Sequence, residues 1–189
     1  MTEIDLDNGN CMSLNDELSF FQNLLLDLLT RRAVFKKFEN EMKKTHLTES
    51  NDMMLLVWYG YIISQLSDCR KFFDRDGNAH SFQFVVRHIK DEPLKKKHEG
   101  LFGTWKDKKM ETVLNKYLVH ADHRFSEINT EISVKILDEF IDDLEKYIKE
   151  IVDNLTENYL GISSLIYDTY LPDREREVEK FFEEVRKVV

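Results

Sequence analysis

Leu137, Ile141, Leu144, Ile148, Ile151 and Leu155 recur at alternating steps of four and three residues. A row with that period forms one stripe along an α-helix and needs an apolar partner over its whole length. Other segments carry the same demand. Ser13, with Asp16 three residues on, makes a capping box, and Leu14, Leu18, Phe21, Leu25 and Leu28 follow, continuing through Phe35, Phe38 and Met42. This predicts a first helix from about 14 to 44.

After the capping cluster Thr48-Glu-Ser-Asn-Asp52, residues 53–66 are apolar on nearly all sides, as a centrally buried helix would be. The turn-forming string Asp74-Arg-Asp-Gly-Asn78 should end it, and a shorter helix is expected from Ser81 to about Lys90. Pro93, Gly100 and Gly103 punctuate a lysine-rich stretch that reads as a mobile connector containing at most a short helix. Thr104 with Asp107 forms a second capping box, opening a helix with the stripe Leu114, Leu118, Ala121, Phe125 and Ile128. The long 4-3 helix is expected to begin near Thr130 and to end at Gly161, before an acidic helical tail that bends after Pro172.

Only six glycines and two prolines occur in 189 residues, too few for a sandwich or barrel with a turn every ~8–12 residues. The fold class expected is all-α: an antiparallel helical bundle with a C-terminal helical appendage. Residues 1–12 are read as a disordered segment, 13–160 as the bundle and 161–189 as the acidic appendage. The longest mostly apolar run, residues 53–63, falls short of the roughly 18 needed for a membrane span. The acidic start Met1-Thr-Glu-Ile-Asp-Leu-Asp7 does not resemble a signal peptide, so no membrane partner and a cytoplasmic location are expected. Cys11 and Cys69 match no metal or redox spacing and read as structural thiols.

A formal net charge of -9 argues against general coating of nucleic acid. The charge is nevertheless uneven. Residues 87–124 hold ten bases against six acids, a local +4 that leaves -13 elsewhere. Such a centre is either an ordinary solvated face or a place for phosphate.

The familiar chemical signatures are missing. No Gly-rich phosphate loop, Gly-x-Ser-x-Gly elbow or His-Glu-x-x-His pair occurs, and the Asp74 string has its glycine at the wrong position for a calcium loop. His120, His123 and Glu127 lack a partner Glu-x-x-His on another helix, so no metal and no cofactor are expected. What remains is Lys116, His120, His123 and Arg124, a basic, titratable stripe at three- and four-residue spacings. A histidine with a pKa near ~6.5 can take the 2′-hydroxyl proton of RNA or return one to the leaving oxygen, while neighbouring cations stabilise charge on phosphorus.

The string Asn115-Lys-Tyr-Leu-Val-His-Ala-Asp122 resembles the motif helix of the HEPN superfamily, especially its abortive-infection U-type relatives. There an Arg, a polar residue, several positions and His-x-Asp are typical. The architecture over residues 14–155 is similar too: a long first helix, a buried aromatic second helix ending in Leu66-Ser-Asp68, a turn, a short helix, the motif helix and a long helix. The resemblance implies an all-α homodimer whose motif helices face each other and form one composite, metal-independent ribonuclease site. Members serve in phage defence, toxin–antitoxin pairs and RNA processing, and some bind without cutting. His120 matches the catalytic His and Asn115 the polar position. Where the family Arg would stand, this sequence has Val113, Leu114 and Asn115, and Lys116 and Arg124 are the cations within one turn of His120.

Two functions remain open at this point. In the first the chain is RNA-directed, with His120 as acid–base residue, Asn115 orienting phosphate, and Lys116, His123, Arg124, Lys95, Lys96 and Lys97 holding RNA. In the second it is a non-catalytic helical module that dimerises or binds an antitoxin or another protein through the same groove.

Overall fold

The computed structural model describes residues 13–44, 52–74, 80–119, 133–159, 162 and 166–188, without the side chains of 52–55, 116–119, 166, 167 and 188. The described residues form seven helices and no strand: α1 (Leu14–Lys44), α2 (Asp52–Lys71), α3 (Phe82–His88), α4 (Glu92–Asp107), α5 (Met110–Val119), α6 (Val134–Asn158) and α7 (Ile166–Val188). The all-α class follows directly.

The first helix starts as its sequence dictates. The Asp16 N–H donates to Ser13 Oγ at 3.2 Å while the Ser13 N–H donates to Asp16 Oδ2 at 3.2 Å, a reciprocal box that satisfies two otherwise orphaned donors. The expected stripe is buried. Leu14, Leu18, Phe21, Leu25 and Leu28 are each at most 1% exposed, and Leu24, Leu26 and Leu29 are buried as well, since α1 is covered on several sides. The heptad row of α6 behaves likewise: all six of its residues are buried, with Phe140 and Tyr147 beside them. Ser133 caps α6 by accepting from the Ile136 N–H at 3.2 Å.

Contacts along the helices fix their directions. Arg32 of α1 pairs with Asp142 and Lys36 with Asp138, so α1 and α6 run oppositely. Helix α2 also opposes α1, because Phe21 meets Phe72, Gln65 donates to the Leu28 carbonyl at 2.9 Å, and Phe35 stacks on Tyr61 at 4.0 Å. His98 on Tyr147 and Trp105 on Phe140 set α4 against α6 in the same antiparallel sense. These helices share a core that includes Trp105, Phe72, Phe82 and Leu66.

Four sequence expectations need correction. The lysine-rich connector is the 16-residue helix α4, capped by Asp91, whose carboxylate accepts from the Leu94 N–H, with Pro93 in the first turn where no donor is required. Thr104 does not open a helix. It lies inside α4, its hydroxyl donating to the Gly100 carbonyl at 3.1 Å, and the break falls at Lys109, which adopts φ 55°. Helix α2 is less enclosed than its composition implies, with Leu56 exposed, although Tyr59, Tyr61, Ile62 and Leu66 are buried. Finally, α7 is continuous through Pro172, which lies in its second turn, so the missing N–H forfeits one bond near the helix start.

Helix α7 lies along α1 in parallel: Lys37 pairs with Glu179, Arg186 pairs with Glu41 at 2.9 Å, and Phe182 is buried. Its remaining glutamates, Glu175, Glu177, Glu183 and Glu184, are exposed. The capping cluster 48–51, Gly161 and residues 1–12 lie outside the described residues.

Candidate functional site

The motif helix is described from Met110 to Val119. Val113 and Leu114 are buried in the core, which turns Asn115 to the surface. Lys116 is helical in its backbone, its side chain lying outside the described residues, as do His120, His123 and Arg124 in full. Of the two proposed catalytic residues, Asn115 alone is therefore placed.

A cation reaches Asn115 from another helix. Arg70, in the last turn of α2, donates through Nη1 to Asn115 Oδ1 at 3.4 Å, across 45 residues of chain. Several contacts anchor this turn. The Asp68 carboxylate accepts from Arg31 of α1 and, at 2.6 Å, from Lys71, while the Cys69 thiol is fully buried. Burial alone would raise the Asp68 carboxyl, but the hydrogen bonds from Lys71 and Arg31 outweigh it and hold the group below its ordinary range. Burial pushes the Cys69 thiol far upward, so no thiolate is available there for chemistry. Arg70 thus projects from a turn tied to α1 on one side and to the core on the other. The helix C-terminus also favours its positive charge.

The three connector lysines sit on α4. Lys95 is held by Glu92 at 2.7 Å and Lys97 by Glu150 of α6, while Lys96 is exposed. Two of the three proposed RNA contacts already have carboxylate partners within the chain. They remain accessible at the surface, where such pairs are weak and exchangeable.

Reasoning from spacing did not find Arg70, because its link to Asn115 is tertiary. The one available signal was its position two residues after Asp68, in the segment where the second helix of the resemblance ends. Among the described residues no group of three His, Cys, Asp or Glu side chains is placed to hold a metal ion, and no helix is long and apolar enough to cross a membrane. His120, His123 and Glu127 fall outside that statement.

A concavity that does not include Asn115 lies between α3 and α4. It encloses about 310 Å3 over Phe73, Phe102 and the buried His98, with Gln83, Arg87, Lys95 and Glu99 around them. Comparison of the chain with protein-family models, with curated proteins and with solved structures finds no match.

Proposed function

We propose that this chain is an RNA-directed protein of the HEPN kind: a metal-independent endoribonuclease that acts as a homodimer in the cytosol, in a phage-defence or toxin–antitoxin setting. The observation that carries the reading is the Arg70 guanidinium beside Asn115. The motif has no arginine of its own at the family position, and α2 brings one to its polar residue from outside the motif.

In the proposed reaction His120 takes the proton of an RNA 2′-hydroxyl. The oxygen attacks the adjacent phosphorus, a new P–O bond forms, and the bond to the 5′-oxygen breaks as His120 returns the proton to that oxygen. The products are a 2′,3′-cyclic phosphate and a 5′-hydroxyl, and RNA supplies both nucleophile and leaving group. Arg70 stabilises the charge that develops on the non-bridging oxygens, and Asn115 orients the phosphate. Lys116, His123 and Arg124, with the α4 lysines, attract the backbone.

The second reading is a non-catalytic module that dimerises or binds an antitoxin or another protein. It is favoured by the carboxylates that already occupy Lys95 and Lys97.

Incubation with a mixed RNA pool in EDTA separates the two. Cleavage to cyclic-phosphate ends, lost in His120→Ala and reduced by about a hundredfold in Arg70→Ala with partial recovery in Arg70→Lys, supports the enzyme. Identical traces from all variants, or none from the parent chain, overturn it. Light scattering at about twice the 22.6 kDa chain mass supports the composite dimer, and a concentration-independent monomer removes it.

A further inference from the structure

Cations that bridge helices in this fold do so to carboxylates: Arg31 to Asp68, Arg32 to Asp142, Lys36 to Asp138, Lys37 to Glu179 and Arg186 to Glu41. Arg70 is different. Its side-chain partner is the neutral carboxamide of Asn115, and among the described residues no carboxylate lies within ion-pair distance of it. Glu111, one helical turn before Asn115 on α5, is not paired with it either. Acid is not scarce in a chain with 36 Asp and Glu against 27 Lys and Arg, so the missing counter-charge is a property of this position.

A neutral anchor has a chemical consequence. Asparagine and aspartate have nearly the same shape, but a carboxylate would take the guanidinium in a two-pronged grip and cancel its charge. The carboxamide oxygen holds Arg70 through Nη1 and leaves the charge, with the rest of the five-donor fork, uncommitted among the described residues. Both sides of the pair are fixed before any ligand arrives. Asp68 and Cys69 tie the Arg70 turn to α1 and to the core, and the buried Val113 and Leu114 set the rotation of α5 that presents Asn115. A half-buried cation without a counter-charge is costly to hold, and one held in place is ready for an anion from outside.

We propose that Arg70 and Asn115 form an oxyanion site complete within one chain, in which the guanidinium grips two non-bridging oxygens of a phosphate and Asn115 is a neutral positioning residue that acts through Arg70. The choice of phosphate rests on the RNA-directed reading and deepens it: each protomer anchors its ligand without a partner subunit and without His120. The phosphate belongs either to the backbone of an RNA strand or to the free anion.

The test is calorimetric titration of the full chain with inorganic phosphate and with a 2′-O-methyl RNA pentamer, which lacks the nucleophile and cannot be cut. Saturable binding at one site per chain is expected, weakened about tenfold in Arg70→Ala and as much in Asn115→Asp, where the new carboxylate captures the guanidinium. Asn115→Asp should nevertheless keep or raise the denaturation midpoint, since it gains an ion pair, so its loss of binding is not a loss of fold. Asn115→Ala should weaken binding about threefold in the parent chain and not at all in an Arg70→Ala background, as expected of a residue that acts through another. Pentamer binding that phosphate displaces assigns the site to an RNA strand, and phosphate binding without pentamer binding assigns it to the free anion. No saturable binding of either probe, one ligand per two chains, binding indifferent to Arg70→Ala, or binding kept in Asn115→Asp overturns the site. None of these steps is a cleavage. A chain that binds as expected but cuts no RNA removes the ribonuclease reading alone, and a chain that cuts RNA while its Asn115→Asp form binds like the parent removes this site alone.

Discussion

Glu17 of α1 accepts the backbone N–H of Ser81 at 3.2 Å, immediately before α3. The same Oε2 lies 3.3 Å from His80 Nδ1, whose ring stacks on Phe20 at 3.8 Å. Ser81 occupies the cap position of α3, yet its own side chain makes no capping bond. A buried carboxylate from another helix therefore ties down the start of this short element. Glu17→Ala is expected to destabilise the fold by about 1 kcal/mol through the loss of a partner for this half-buried N–H, whereas Ser81→Ala changes little, as urea denaturation would read out.

Asp68 predicts a dependence on acidity. Its folded-state carboxyl titrates below the unfolded value, because hydrogen bonds from Lys71 and Arg31 overcome the opposing effect of burial. The stabilisation is complete above the unfolded pKa, about 3.9, and is lost as pH falls through the depressed folded value. Asp68→Asn should cost about 1 kcal/mol at neutral pH, and the difference from the parent chain should vanish below that window. A gap that persists unchanged in strong acid contradicts the assignment.

The junction between α4 and α5 offers two stabilising changes. Lys109 adopts φ 55°, a conformation that costs a residue with a Cβ roughly 1 kcal/mol, so Lys109→Gly should raise stability by about that amount. Gly103 lies inside α4, where an added Cβ meets nothing within 4 Å, and Gly103→Ala should add about 0.5–1 kcal/mol. Both effects are measurable as shifts in denaturation midpoint at unchanged slope.

Cys69 should be chemically silent in the native chain. It is fully buried, and burial raises its thiol far above neutral pH. In a Cys11→Ser background, labelling by a thiol-specific reagent should follow global unfolding and become rapid only in denaturant. Fast labelling of the native protein would contradict the placement of this turn.

These junctions also show where the sequence was readable. The stripes Leu14 to Leu28 and Leu137 to Leu155 predicted α1 and α6 closely, because a long one-sided helix writes its period into its own residues. Helix α4 escaped notice because Pro93, Gly100 and Gly103 are breakers by composition. Pro93 stands in the first turn, where it is harmless, and core contacts of Leu94, His98 and Trp105 offset the glycines. The break at Lys109 carries no glycine to announce it. Asn115 was visible as a motif residue, whereas Arg70 was not, since a hydrogen bond spanning 45 positions leaves no mark in local spacing. His98 and Arg87 were hidden for the same reason: α3 and α4 must fold before they share a cleft.

The partnership of α1 with α7 bears on the order in which the molecule can be built. Helix α1 keeps the face that meets α7 uncovered until α7 has been synthesised. Until then Lys37 and Glu41 lack Glu179 and Arg186, an interval in which a chaperone or a premature encounter with another nascent chain competes with native closure.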